Sequence, residues 1–135
     1  MPRFYRSMTR EGDRPKVGPT GRTLGVRVPA DIPATDGLVR PETGGMSVVP
    51  AWRDLKTHRI PRRLRHLAPD ARGPNEDACW VMGQGPFGPG PVADGLTLRP
   101  TSPDHGLVEP SESMLLDHYQ TSLAATRDAW CIDEE

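Results

Sequence analysis

Proline and glycine interrupt this chain so often that long regular elements have little room to form. There are 16 prolines and 14 glycines among 135 residues. Proline fixes φ and removes a backbone donor, and glycine loosens the backbone. Spread along a sequence, the two predict a loop-rich domain with short strands and few helices. Their joint share, 30 of 135, stays under the roughly 25–30% that marks a low-complexity chain. A chain of this length is expected to form a single domain, 1–135, with its own core.

Between the breakers, period-two alternation and short apolar runs mark strand candidates. RFYRSM (3–8) places Phe4, Arg6 and Met8 on one face, with Tyr5 and Ser7 on the other. LGVRVP (24–29) alternates through Leu24, Val26 and Val28. MSVVP (46–50), CWVMG (79–83), LTLRP (96–100) and GLVEP (106–110) complete the set, and 9–23, 30–37 and 83–91 read as loops. Residues 51–69 predict one or two helical turns, a break at Pro61, then another short turn. From Ser113 onward the spacing of Leu116, Tyr119, Leu123 and Trp130 predicts a helix with Ser113 as N-cap. The acidic tail Asp133–Glu135 opposes a helix C-terminus, so the helix is expected to stop near Trp130 or earlier. The sum is an α+β domain: a small, bent or split sheet plus a C-terminal amphipathic helix.

The whole-chain charge favours no class of charged partner. Seventeen basic and 18 acidic residues leave a net charge of −1 and a pI near 6.4. That balance gives no general pull toward nucleic acid or an anionic membrane. No apolar run approaches the ~20 residues of a membrane span. The N-terminus has no apolar segment of the signal-peptide kind. The expectation is a cytoplasmic protein, or one delivered into another cell's cytoplasm without a cleaved signal. Cys79 and Cys131 leave one disulfide open, but two free thiols, buried or partly so, are the expected state. His58, His66, His105 and His118 lack metal-ligand spacing, so no metal is expected. The basic run THRIPRRLRH (57–66) carries four Arg and two His without an acid. It suits a phosphate, a nucleic acid or an acidic partner, or simply a solvated face or a mate for the acidic C-terminus.

The stretch DGLVRPETGGMSVVPAW (36–52) sets two glycines directly before an apolar run that Ser47 interrupts. A Gly-Gly pair lets another group approach the backbone closely. GGMSV is not a nucleophile elbow, and the prolines of GQGPFGPG remove the N–H groups a phosphate cradle needs. What remains is an order of features: Arg6 in the first strand, Gly44-Gly45-x-Ser47 opening a later one, and His105 and Glu109 in the strand before the helix.

That order resembles the ADP-ribosyltransferase fold, and more narrowly the Tse-two-type effector toxins of bacterial type VI secretion. Three patches carry the resemblance: FYRSM (4–8), DGLVRPETGGMSV (36–48) and HGLVEPSESM (105–114), with Trp130 as a late helical Trp. Residues 51–104 match nothing in that pattern. The resemblance implies a small split β-sandwich that grips NAD, as substrate, between two sheets. Carried over by position, Arg6 beside Tyr5 would hold a cofactor phosphate or ribose. Ser47 would shape the nicotinamide-ribose pocket, and Gly44 and Gly45 would let the dinucleotide lie against the backbone. Such transferases commonly place a Glu at the third catalytic position to favour the cationic state. Here the matching strand starts with His105 and carries Glu109, and alternation turns both to one face. Either can be the third catalytic position. The implied function is a toxin that transfers ADP-ribose to an intracellular target or consumes NAD, countered by a cognate immunity or antitoxin protein. In that reading Arg6→Ala abolishes toxicity and leaves the fold intact. The alternative is a non-catalytic toxin or interaction domain acting through its basic 57–66 surface.

Overall fold

The computed structural model describes residues 1–135 and is α+β, mostly sheet with one short helix. One antiparallel sheet has four strands in the order β10 (Cys131–Ile132), β5 (Asp77–Met82), β1 (Phe4–Glu11) and β2 (Arg14–Pro15). The other has the order β4 (Met46–Val48), β8 (His105–Pro110), β7 (Leu96–Ser102) and β6 (Gly90–Ala93). A two-stranded ribbon pairs β3 (Leu38–Val39) with β9 (Met114–Leu115), directly before α1 (Leu116–Ala124). No helix is long and apolar enough to cross a membrane.

One backbone bridge joins the two large sheets. Tyr5 and Val49 exchange both backbone hydrogen bonds, at 2.7 and 2.9 Å. Beyond that bridge β1 follows β5 and β4 follows β8, so the two strands part.

Strand β1 is buried on both faces, which explains a run of five buried residues in a chain with so few aromatics. On one face Phe4 and Met8 enter the main core, formed with Trp80, Met46, Val48, Leu98, Tyr119 and Trp130. Phe4 meets Trp130 edge-on at 5.4 Å, a geometry that aromatic quadrupoles favour. On the other face Tyr5 packs with Trp52, Ile60, Leu64 and Cys79. These come largely from the 51–69 segment, whose predicted turns are present as three 3-10 turns, Trp52–Asp54, Thr57–Arg59 and Arg62–Leu64.

Four sequence expectations need correcting. Residues 24–29 form no strand, although Leu24 and Val26 are buried. The partner of Val26 is a side chain: its N–H donates to Gln120 Oε1 (3.1 Å) and its carbonyl accepts from Gln120 Nε2 (2.9 Å). The carboxamide imitates one rung of a ladder, and alternation cannot tell a rung from a strand. The helix does not start at Ser113. Met114 and Leu115 are taken by β3, and the Leu116 N–H donates to the Gly37 carbonyl. Trp130 lies past the helix end, after a 3-10 turn, and the next two residues form the edge strand β10. That position leaves Cys131 exposed, against the expectation of a covered thiol, while Cys79 is buried and its thiol pKa is pushed up to about 12 by burial.

Gln120→Leu tests the imitation rung. It orphans the N–H and carbonyl of a buried residue, which costs about 2 kcal/mol. Urea denaturation should show that loss with an unchanged slope.

Candidate active-site cleft

Where β1 and β4 part, a cleft of about 500 Å³ opens. Arg6 and Ser7 of β1, Ser47 of β4 and His105 of β8 line it, with Arg59 from the 3-10 turns. The volume is in the range of small-molecule sites.

Arg6 forms the floor. Its Nη1 donates to the Ser47 carbonyl at 2.8 Å, so the guanidinium spans the gap between the parting strands. Nε and Nη2 donate to the Thr23 carbonyl at 3.3 and 2.9 Å, and Nη2 also reaches the carbonyls of Thr20 and Gly25. None of the chain's ion pairs includes Arg6. Burial lowers its pKa to about 10, which still leaves it a cation at neutral pH. A buried cation bonded only to carbonyls places positive charge at the cleft floor, partly offset by the charge of Asp31 on the cleft wall.

Ser47 is opposite Leu107 in the β4–β8 register, which makes His105 its diagonal neighbour. Ser47 Oγ lies 2.6 Å from His105 Nε2. The other ring nitrogen, Nδ1, lies 2.6 Å from Thr101 Oγ1. Thr101 Oγ1 also donates to the His105 carbonyl at 3.3 Å. A hydroxyl has one proton, so the network assigns Thr101 as acceptor from Nδ1–H. Nε2 then carries the lone pair that accepts the Ser47 proton. Burial pushes the His105 pKa below its ordinary value, which keeps the ring neutral. The result is a relay, Thr101–His105–Ser47, with serine lone pairs left for a ligand.

Thr101→Val removes the acceptor for Nδ1–H. Its expected signature is a change of His105 tautomer, read in the ring nitrogen NMR shifts, which Thr101→Ser restores.

The remaining sequence candidates lie outside the cleft. Glu109 shares a strand face with His105 but is four residues further on, about 13 Å along β8. There its Oε2 accepts from Arg99 Nε and from the Glu42 N–H, both at 2.9 Å. Tyr5 points to the opposite side of β1 from Arg6, and its hydroxyl donates to Asp133 Oδ2 at 2.7 Å. The close approach at the glycine pair is made by the chain itself. A Cβ on Gly44 would sit 2.3 Å from the Asp31 carbonyl oxygen, and one on Gly45 would sit 2.6 Å from that of Val108. No three His, Cys, Asp or Glu side chains converge as a metal-ligand set.

The basic run is divided by the fold. His58 and Arg59 face the cleft. Arg63 turns away, donating at 2.6 Å to Glu134 of the acidic tail.

Residues 6–130 match the family model of the Tse2 ADP-ribosyltransferase toxin. The chain belongs to that family. The match runs from Arg6 to Trp130 and so includes both sheets, the cleft and the helix. Family membership makes this a toxin-type chain with an ADP-ribosyltransferase-like fold. It also spans residues 51–104, the stretch in which the sequence patches found nothing to match. No curated protein and no solved structure matches the chain.

Two cleft residues, Ser7 and Arg59, and Thr101, which backs His105, were not among the sequence candidates. Thr101 had a usable signal: Pro103 and Asp104 are the only residues of the β7–β8 turn, and so tight a turn sets Thr101 near His105. Ser7 and Arg59 had none, because a lone serine in a strand and an arginine in a basic run are common.

Proposed function

We propose that the cleft binds NAD and that the chain consumes it, passing ADP-ribose to a target macromolecule or to water. The observation that carries this reading is the convergence of Arg6, Ser47 and His105, 41 and 58 residues apart in sequence steps, through bonds of 2.8 and 2.6 Å. The two sheets parting at Tyr5–Val49 act as the halves of a split sandwich around the ligand. The single domain 1–135 is the functional unit.

The donor set suits a dinucleotide. A buried cation without a carboxylate partner favours an anionic group, and the Ser47–His105 pair favours sugar hydroxyls. NAD supplies a glycosidic bond whose cleavage releases nicotinamide and leaves positive charge on the ribose. Arg6 holds the floor of the site and keeps β4 at its distance. His105 fixes the Ser47 hydroxyl and can hold its proton at Nε2. The carboxylate that such transferases usually present is not Glu109, whose oxygen is committed to Arg99 and the Glu42 amide. Asp104, next to His105 and on the cleft wall, is the nearest acid by sequence.

A toxin of this kind requires a cognate immunity or antitoxin protein in the cell that makes it, and blocking the cleft is the direct way to neutralise it. Delivery to a rival cell by type VI secretion fits the family.

Tightly induced expression in a susceptible cell, with growth and intracellular NAD followed together, tests the reading. Wild type should arrest growth while NAD falls, and Ser47→Ala and His105→Ala should lose both effects. Undiminished toxicity in both variants would sink it.

A further inference from the structure

Ser7 Oγ is the one buried side-chain polar atom in the chain without a hydrogen-bond partner in the protein. Ser7 is 3% exposed and lines the cleft. Buried hydroxyls are nearly always paired, so each exception requires a cause. Strand alternation puts Ser7 on the same face as Tyr5. Tyr5 packs under Trp52 and Ile60, so Ser7 faces the same segment.

That segment delivers Arg59 to the cleft. Its guanidinium makes no hydrogen bond and joins no ion pair, although seven other arginine–carboxylate contacts exist in the chain. It is half-buried, and burial together with the charge of Arg27 lowers its pKa. The tip lies against Gly21, where an added Cβ would sit 2.5 Å from Nη2. Asp31, the nearby acid, is already held by Arg27 at 2.9 Å. The protein thus assembles an unpaired forked donor, an unpaired hydroxyl and the buried charge of Arg6 in one cleft.

We propose that Ser7 and Arg59 form an anion subsite that takes the diphosphate of the nucleotide ligand. The proposal rests on the NAD reading for the identity of the ligand, but not for the anion chemistry. Diphosphate oxygens accept two parallel N–H bonds from one guanidinium, and a third oxygen remains for a serine hydroxyl. Arg59 therefore decides that the cleft prefers dinucleotides to nicotinamide riboside.

Calorimetric titration with ADP-ribose, inorganic pyrophosphate and nicotinamide riboside tests this. Arg59→Gln should weaken ADP-ribose and pyrophosphate about tenfold or more and leave nicotinamide riboside unchanged. Gly21→Ala keeps the charge but displaces the tip of Arg59, and should weaken the same two ligands less. Ser7→Ala should weaken both ligands while raising the Tm of the free protein, since it removes an unpaired buried hydroxyl. If wild type binds ADP-ribose and the Arg59 and Ser7 variants bind it equally well, the subsite falls and the NAD reading stands. If wild type binds pyrophosphate in an Arg59-dependent way but neither ADP-ribose nor nicotinamide riboside, the subsite stands and the NAD reading falls. Binding of none of the three ligands by wild type overturns both.

Discussion

Arg6→Ala should cost about 2–4 kcal/mol of folding stability, a large share of the roughly 5–15 kcal/mol typical of a small protein. The substitution strips a hydrogen-bond donor from the carbonyls of Thr20, Thr23, Gly25 and Ser47. Each buried carbonyl left unpaired costs about 1–3 kcal/mol. Against that stands relief of the desolvation of a fully buried cation, which keeps the net below the sum. The same bonds hold the 20–25 loop to β4, so the cleft loses its floor as well. Arg6→Lys keeps the charge but has no fork, and should recover only part of the loss. Urea denaturation of the three proteins checks this. The resemblance on its own implied that Arg6→Ala would leave the fold intact. In this structure the residue is a structural tie as well as a cleft residue, so lost toxicity in that variant reports on folding unless stability is measured beside it.

His105→Ala and Ser47→Ala should each lower NAD consumption about a hundredfold or more, the usual size of a positioned proton-handling group. Both act through one hydrogen bond, so the double variant should be little worse than either single one. The pH dependence follows from the lowered His105 pKa. Above the ordinary histidine value of about 6.5 the ring is neutral in both folded and unfolded chains. Below it the unfolded chain takes up a proton that the folded chain resists, so stability declines from about pH 6.5 down to the lowered folded value. Activity holds through the upper part of that window, because the folded ring is still neutral. It then falls as the folded ring protonates and Nε2 can no longer accept from Ser47. A rate profile whose acid limb lies below pH 6.5 in wild type, and is absent from the residual rate of His105→Ala, is the expected result. An acid limb unchanged by His105→Ala would remove His105 from the chemistry.

Much of the architecture was legible in the residues. Alternation and short apolar runs located β1, β4, β5, β7 and β8 because each has apolar side chains that must be covered, and that need is local. The missed elements are short and depend on a partner. β2, β3, β9 and β10 have two residues each, too few to show a period, and they exist because another strand edge is there to pair with. β6 runs through Gly90 and Pro91, a composition that reads as a loop.

The candidate site divides in the same way. The types and order of Arg6, Ser47 and His105 are properties of the sequence, and so is the resemblance they carry. Alternation also set His105 and Glu109 on one face. It could not say that some 13 Å of strand separates them, or that an ion pair with Arg99 holds Glu109 elsewhere. By itself the sequence determined an α+β chain of short strands, with a cationic first strand and a serine–histidine order of a toxin family. Only the tertiary structure decided that the glycine pair gives room to the chain's own backbone, that Thr101 sets the histidine, and that Ser7 and Arg59 wait unpaired in the cleft. The reason is physical: a residue's covalent chemistry and local period travel with the sequence, whereas hydrogen-bond satisfaction is a property of what the fold brings alongside.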